Sequence, residues 1–234
     1  MPQKIKFTID GKECLAEAGQ TIYEAAKSNG VFIPVLCHYE GLKPVGSCRV
    51  CSVRVNGRWM ASCTQPITEG MVIENAVPEV EEYRKAILDM LFVEGNHFCP
   101  TCEKSGNCEL QALAYRYQIM VPRFPYLFSK KDIEAFPGFL VEQNRCILCQ
   151  RCIRAIQTGD GQKIFTMKNR SKDVRLNVDK KLASKMSEEQ IQKAMDICPV
   201  GAILKKEVGF RIPIGKRKFD HTPIGNELEE KKRG

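Results

Sequence analysis

The run CILCQRC, Cys146 to Cys152, sets three thiols two residues apart, and a fourth follows far downstream in DICPVGAIL as Cys198, directly before Pro199. Zinc sites rarely take three ligands at this spacing, whereas a close run completed by a distant Cys-Pro is the ligand pattern of a [4Fe-4S] cluster. The remaining cysteines are grouped as well. Of twelve in 234 residues, Cys14 stands alone; Cys37, Cys48, Cys51 and Cys63 form one group, and Cys99, Cys102 and Cys108 another. Three groups separated by cysteine-free stretches indicate three modules, which the length accommodates. The hydrophobic content of 43% is that of a globular chain. No window approaches the apolar length of a transmembrane helix. The basic start, MPQKIKFTID, lacks the apolar stretch and cleavage site of an export signal. The chain therefore reads as cytoplasmic, where thiols stay reduced and serve metal or catalysis rather than disulfides.

Two-cluster ferredoxins carry C-x2-C-x2-C-x3-C-P twice, and the fourth cysteine of each run ligates the other run's cluster. Here the fourth position of the first run is Ile156. Counting back from Cys198, the first three positions of the second run fall on Glu188, Ile191 and Ala194. All the ligands of one cube are present and all those of the other are gone. Residues 137–210 thus read as a bacterial-ferredoxin-like domain that has lost its second cluster coherently, with Cys146, Cys149, Cys152 and Cys198 holding [4Fe-4S]. Two short strands, KIFTM and VRLNV, precede a helix that Ser187 and Gln190 open as a capping box and Pro199 stops.

Residues 1–78 alternate like strands. KIKFTID ends at Asp10-Gly11, and VCSVRVNG turns at Asn56-Gly57 and returns as RWMASCTQPI; both turns are hairpin signals. Between them Thr21 and Glu24 cap a helix through Ile22, Ala25 and Ala26 that Gly30 closes. Strands with one helix laid on them make an α+β sandwich of the β-grasp kind. Its cysteines, Cys37-x10-Cys48-x2-Cys51-x11-Cys63, have the layout of a [2Fe-2S] site with a longer first gap than the plant-type pattern. Gly46 fits a backbone passing close to inorganic sulfide. A zinc site is the alternative that this spacing leaves open.

From Glu79 the period becomes helical: Tyr83, Ala86, Ile87, Met90 and Leu91 share a face, and Gly95-Asn96 ends the run. A second helix follows Cys108 in ELQALAYRYQ, and RFPYLF serves as a connector. Residues 79–136 thus form a small helical domain around His97, Cys99, Cys102 and Cys108. Three thiolates leave one corner of a [4Fe-4S] cube to His97, unless that histidine merely caps a helix end. Cys14, in a strand, is expected to be a small buried hydrophobe, and His38 and His221 have no partner that the sequence names. Residues 211–234 are charged, punctuated by proline and aperiodic, and read as an arm that orders only against a partner or not at all.

The formal charge of +8 admits a rival reading, a zinc-containing nucleic-acid-binding protein. Against it, ligating thiolates are anionic, so much of the basic excess is counter-charge for buried clusters. No glycine-rich phosphate loop, nucleophile elbow or flavin or nucleotide fingerprint is present. Clusters without a substrate site describe an electron relay, and a two-electron hydride donor then requires a flavin elsewhere.

The ordered set GSCRVCSVRVNG, EGNHFCPTCEKSGNCELQ, RFPYLF, NRCILCQRC and DICPVGAIL resembles the diaphorase-module iron–sulfur subunit (the Hox-type U subunit) of NAD-linked soluble [NiFe] hydrogenases. It is also similar to the N-terminal iron–sulfur region of the large (75 kDa-type) subunit of respiratory complex I and to the front end of multi-cluster [FeFe] hydrogenases. The resemblance covers about residues 4–220 and implies [2Fe-2S] on Cys37, Cys48, Cys51 and Cys63, and [4Fe-4S] on His97, Cys99, Cys102 and Cys108 and on Cys146, Cys149, Cys152 and Cys198. It further implies a hetero-oligomer in which this chain passes electrons between an FMN-binding, NAD-reacting diaphorase subunit and the [NiFe] hydrogenase small subunit, without catalysing a reaction itself. The equivalent subunit of an NAD-linked formate dehydrogenase or complex I-like oxidoreductase is the near alternative. One departure stands out. The complex I and [FeFe] relatives usually place three residues between the histidine and the first cysteine, and here only Phe98 intervenes. No molybdopterin-type or [FeFe] catalytic domain follows in the chain, which favours the free-standing diaphorase subunit.

Overall fold

A computed structural model describes residues 4–127 and 131–230. The first three residues, Phe128 of RFPYLF and the last four residues of the charged arm lie outside the described residues. Strands β1 (Lys4–Ile9) and β2 (Lys12–Glu17) form an antiparallel hairpin whose turn places Asp10 and Gly11 at positive φ. Helix α1 (Ile22–Ser28) follows. Its capping box is complete: the Glu24 N–H donates to Thr21 Oγ1 (3.2 Å) and the Thr21 N–H to Glu24 Oε2 (2.8 Å). Strands β3 (Ser52–Val55) and β4 (Arg58–Ala61) turn at Asn56-Gly57, and β5 (Val72–Glu74) runs parallel to β1 and antiparallel to β3. The five-stranded sheet has the order β2-β1-β5-β3-β4. Phe7, Ile9, Val53, Val55 and Ile73 bury one face of it with Ile22, Ala25 and Ala26 of α1. Cys14 on β2 is only half-buried at the rim of this core, so it is less enclosed than its strand position suggests.

Helix α2 (Pro78–Val93) starts on a proline, which needs no N–H there. It presents Val80, Arg84, Ile87, Leu88 and Val93 inward, whereas Tyr83 and Met90, read as part of the apolar face, are exposed. Two contacts rotate the face. Tyr83 stacks on Trp59 of β4 at 4.3 Å between centroids, and the Arg84 guanidinium reaches the Ser52 and Asn75 carbonyl oxygens. Arg123 Nε on the connector donates to buried Asp89 at 2.7 Å. Helix α3 (Glu109–Arg116) buries Leu110 and Leu113 and uses Cys108 as its N-cap.

The third part contains a sheet that the strand signals did not reveal. Strands β6 (Ile133–Phe136) and β7 (Phe139–Glu142) turn at Pro137-Gly138, with Gly138 at φ +75°. The division read at residue 137 therefore falls inside a hairpin. Helix α4 (Arg151–Ala155), the antiparallel pair β8 (Phe165–Lys168) and β9 (Arg175–Val178), α5 (Lys180–Ala183) and α6 (Glu188–Ile197) follow. Strand β10 (Ile203–Lys205) then pairs with β7 to complete the order β10-β7-β6. Ser187 and Gln190 form the expected capping box. Where the lost second cluster's ligands would stand, Ile156, Ile191 and Ala194 are buried in one apolar core. That core also takes Leu36 and Val50 from the first module and Leu88, Leu110 and Leu113 from the second, so the three parts share an interior.

The charged arm departs from the sequence reading: as far as residue 230 it is packed on its own chain. The Phe219 N–H donates to the Gly106 carbonyl (2.9 Å), the Lys218 N–H to Asn107 Oδ1 (2.9 Å), and Arg116 Nη1 to the Ile224 carbonyl (2.9 Å). Arg116 also pairs with Glu229 on α7 (Asn226–Glu230). Periodicity is no guide to such a segment, because the arm is held by backbone groups and isolated ion pairs rather than by an apolar stripe. Among the described residues no helix is long and apolar enough to cross a membrane.

Candidate metal centres

In the first site, the long loop between α1 and β3 brings Cys37 and Cys48 toward Cys51, just before β3, and Cys63, just after β4. Cys51 and Cys63 Sγ are 3.4 Å apart, and the Cys37 N–H points to Cys48 Sγ at 3.4 Å. Hydrogen bonds among the thiols hold Cys37 well below the ordinary thiol range and bring Cys51 down to about 7. The other two thiols, Cys48 and Cys63, are pushed up. Gly46, at φ +63°, keeps the loop close to Thr64, whose Cγ2 lies 3.0 Å from where a Cβ would stand.

The second site is a small pocket lined by His97, Cys99, Cys102 and Cys108 together with Arg145 and Gly201. Burial raises the three thiols, Cys108 to about 12. The His97 ring packs edge-on against Phe92. Burial foremost, with the nearby Arg145 charge, lowers it to about 4, while a hydrogen bond with the Leu91 backbone works the other way. A neutral imidazole with one nitrogen tied to backbone is the form in which histidine ligates metal. The short spacing to Cys99 does not keep His97 from the cavity. His38 packs edge-on against Tyr23, and His221 Nε2 lies 2.9 Å from the Gly215 carbonyl oxygen, both outside the thiol groups.

The third site is a small pocket lined by Cys146, Cys149, Cys152 and Cys198 with apolar walls that include Ile153, Met167 and Val200. Within CILCQRC, Leu148 (φ 54°) and Gln150 (φ 61°) take left-handed conformations uncommon for residues with a Cβ. Alternation of this kind turns successive N–H groups to one side, the concavity that suits anions and iron–sulfur sites. The backbone N–H groups of Leu148, Arg151 and Ile153 accordingly work to lower the pKa of Cys146, Cys149 and Cys152. Burial still raises all three thiols, Cys146 to about 11. Thiols so buried keep their protons unless a metal displaces them, and four donors around one cavity fit a polynuclear cluster. Among the described residues no three His, Cys, Asp or Glu side chains form a single-ion site.

Three connections between sites have no counterpart in the sequence reading. Arg151, inside CILCQRC, pairs with Glu109, the neighbour of Cys108. Arg154 on α4 reaches the carbonyl of Cys37 in the first site (2.6 Å) and that of Cys149 in the third (3.4 Å). Gly201, three residues after Cys198, lies against the second site: a Cβ there would be 2.5 Å from Cys102 Sγ. Only the position of Arg151 between candidate ligand cysteines, and of Glu109 beside one, offers a signal.

Three family models match successive parts of the chain. Residues 2–78 match a 2Fe-2S iron-sulfur cluster binding domain. Residues 84–123 match the NADH-ubiquinone oxidoreductase-G iron-sulfur binding region, and residues 137–204 the ferredoxin-like domain of NADH-quinone oxidoreductase subunit 3. The chain is 46% identical over 218 residues to the gamma subunit of the NAD-reducing hydrogenase HoxS of Cupriavidus necator, covering 92% of this chain and 93% of that one. It is 33% identical to the mitochondrial NADH-ubiquinone oxidoreductase 78 kDa subunit of Candida albicans over 89% of its own length, but spans only 29% of that protein. A chain in the crystal structure of an NAD+-reducing [NiFe]-hydrogenase in the H2-reduced state superposes with a TM-score of 0.87 at 38% identity, covering 96% of this chain and 98% of that one.

Proposed function

The chain belongs to the family of the NAD-reducing hydrogenase gamma subunit, and on that premise we propose that it is the electron-relay subunit of such an oxidoreductase. In this reading Cys37, Cys48, Cys51 and Cys63 hold one [2Fe-2S] cluster. His97, Cys99, Cys102 and Cys108 hold one [4Fe-4S] cluster, and Cys146, Cys149, Cys152 and Cys198 a second. When bound, such clusters supply one-electron redox chemistry. The chain's own part is to position and bury the ligands, to turn backbone N–H groups toward sulfur, and to exclude water with apolar walls. It carries no catalytic residue. Its partners are an FMN-bearing subunit that reacts with NAD and the small subunit of a [NiFe] hydrogenase, in the cytoplasm.

The observation that carries the reading is the convergence of each ligand set. Cysteines as distant as Cys146 and Cys198 line one cavity, and so do His97 and the three cysteines that follow it. Iron and acid-labile sulfide analysis of the anaerobically purified chain tests it. The expected result is brown protein with about ten irons per chain. Colourless protein with about three zinc ions and salt-dependent binding to nucleic acid is the result that would overturn it. Co-purification with a molybdopterin enzyme instead of a [NiFe] hydrogenase would retain the relay and replace the partner.

A further inference from the structure

We infer that Arg154 is a positioning residue shared by the first and third cluster sites, fixing one positive charge between them and thereby raising the reduction potentials of both; this rests on the reading of both sites as cluster sites. Arg154 stands two residues after Cys152, on α4. Its Nη2 donates to the Cys37 carbonyl at 2.6 Å and to the Cys149 carbonyl at 3.4 Å. Its Nη1 donates to the Lys43 carbonyl at 2.5 Å and its Nε to the Gln150 carbonyl at 3.2 Å. One planar side chain therefore joins the backbone of a ligand cysteine in the β-grasp module to that of a ligand cysteine in CILCQRC.

Two other arginines near the sites have their charge matched by a carboxylate. Arg151 is matched by Glu109 and Arg145 by Glu103. Among the described residues Arg154 forms no ion pair; the acceptors given above are all backbone carbonyls. Arginine keeps its proton under all working conditions, so a full positive charge remains beside the two loops. A cluster on four thiolates is anionic and becomes more so on reduction. A fixed cation nearby stabilises the reduced form more than the oxidised one, and reduction becomes easier.

A redox titration of the full chain, followed by electron paramagnetic resonance at each cluster, tests this. In Arg154→Gln the first- and third-site clusters are expected to become about tenfold harder to reduce, a fall of about 59 mV for a one-electron couple. The second-site cluster, which Arg154 does not touch, serves as the internal reference and should not move. A loaded variant in which the first- and third-site potentials match the wild type overturns the inference, as does an equal shift at all three sites. Should Arg154→Gln fail to load, Arg154→Lys is titrated instead. Retention of the charge predicts potentials within about threefold of wild type in the reduction equilibrium, or about 28 mV; a tenfold loss at both sites would show that the charge is not the cause. A wild-type chain without clusters refutes the underlying reading, whereas unchanged potentials in a loaded variant refute only this step.

Discussion

Arg151, between Cys149 and Cys152, holds both carboxylate oxygens of Glu109 at 2.9 and 2.8 Å, and Glu109 directly follows Cys108. The loops of the second and third sites are thus tied by a buried bidentate pair. A backbone bond runs beside it, from the Glu109 N–H to the Pro199 carbonyl at 2.8 Å. Arg151 is 1% exposed and pairs with Glu109; its Nη1 also donates to the Ile197 carbonyl at 3.4 Å, and its Nε has no hydrogen-bond partner. Removing one partner of a buried pair strands the other charge in a low dielectric.

Glu109→Ala should therefore destabilise the chain by about 3–5 kcal/mol, the range for orphaning a buried ion. Chemical denaturation of the loaded protein measures this. A change of less than about 1 kcal/mol, as for a surface pair, would mean that the charge finds water or another anion.

Gly201→Ala addresses the contact between the third site's C-terminal turn and the second site. The new Cβ would stand 2.5 Å from Cys102 Sγ and 3.3 Å from Lys104 Cβ, too close for the thiol to stay. The variant should lose the iron of the second site and keep that of the other two, as read by iron content and cluster spectra. Full retention of iron would show that the turn yields instead of the cysteine.

His97→Cys replaces a neutral donor with a thiolate at the wall of the second cavity. The cube should remain, and its potential should fall because the added ligand is negative. An unchanged titration curve would mean that His97 lines the cavity without ligating.

Deletion of residues 211–234 tests the strap over the second site. Arg217 Nη1 donates to the Ser105 carbonyl at 3.3 Å, and Lys218 and Phe219 bond to Asn107 and Gly106. Each lost bond is worth about 1 kcal/mol. The truncated chain should release second-site iron to a chelator faster than the full chain, with no change at the other two sites. Equal release rates would make the arm irrelevant to this centre.

Much of the fold is legible in the sequence because its signals are local. Asp10-Gly11, Asn56-Gly57 and the two capping boxes act within a few residues, and each is realised in the structure. Strands β6, β7 and β10 give no such local signal, and β10 pairs with β7 across a long stretch of chain, Ile203 opposite Val141. Only Pro137-Gly138 marks the hairpin. The exposed positions of Tyr83 and Met90 on α2 depend on what lies opposite, namely Trp59 and a pair of carbonyls that draw Arg84 inward.

The twelve proposed ligand residues rest on spacing and resemblance, since cluster geometry constrains how far apart thiols stand along a chain. Sequence alone also determined the lost second cube, because Ile156, Glu188, Ile191 and Ala194 occupy its ligand positions. What only the tertiary structure decided is how the three sites are joined. Arg154 meeting Cys37, Glu109 meeting Arg151 and Gly201 pressing on Cys102 unite residues separated by up to more than a hundred positions. No period or motif encodes such meetings. They follow from the shared apolar core, which draws the modules together and buries the polar groups between them until each must find a partner.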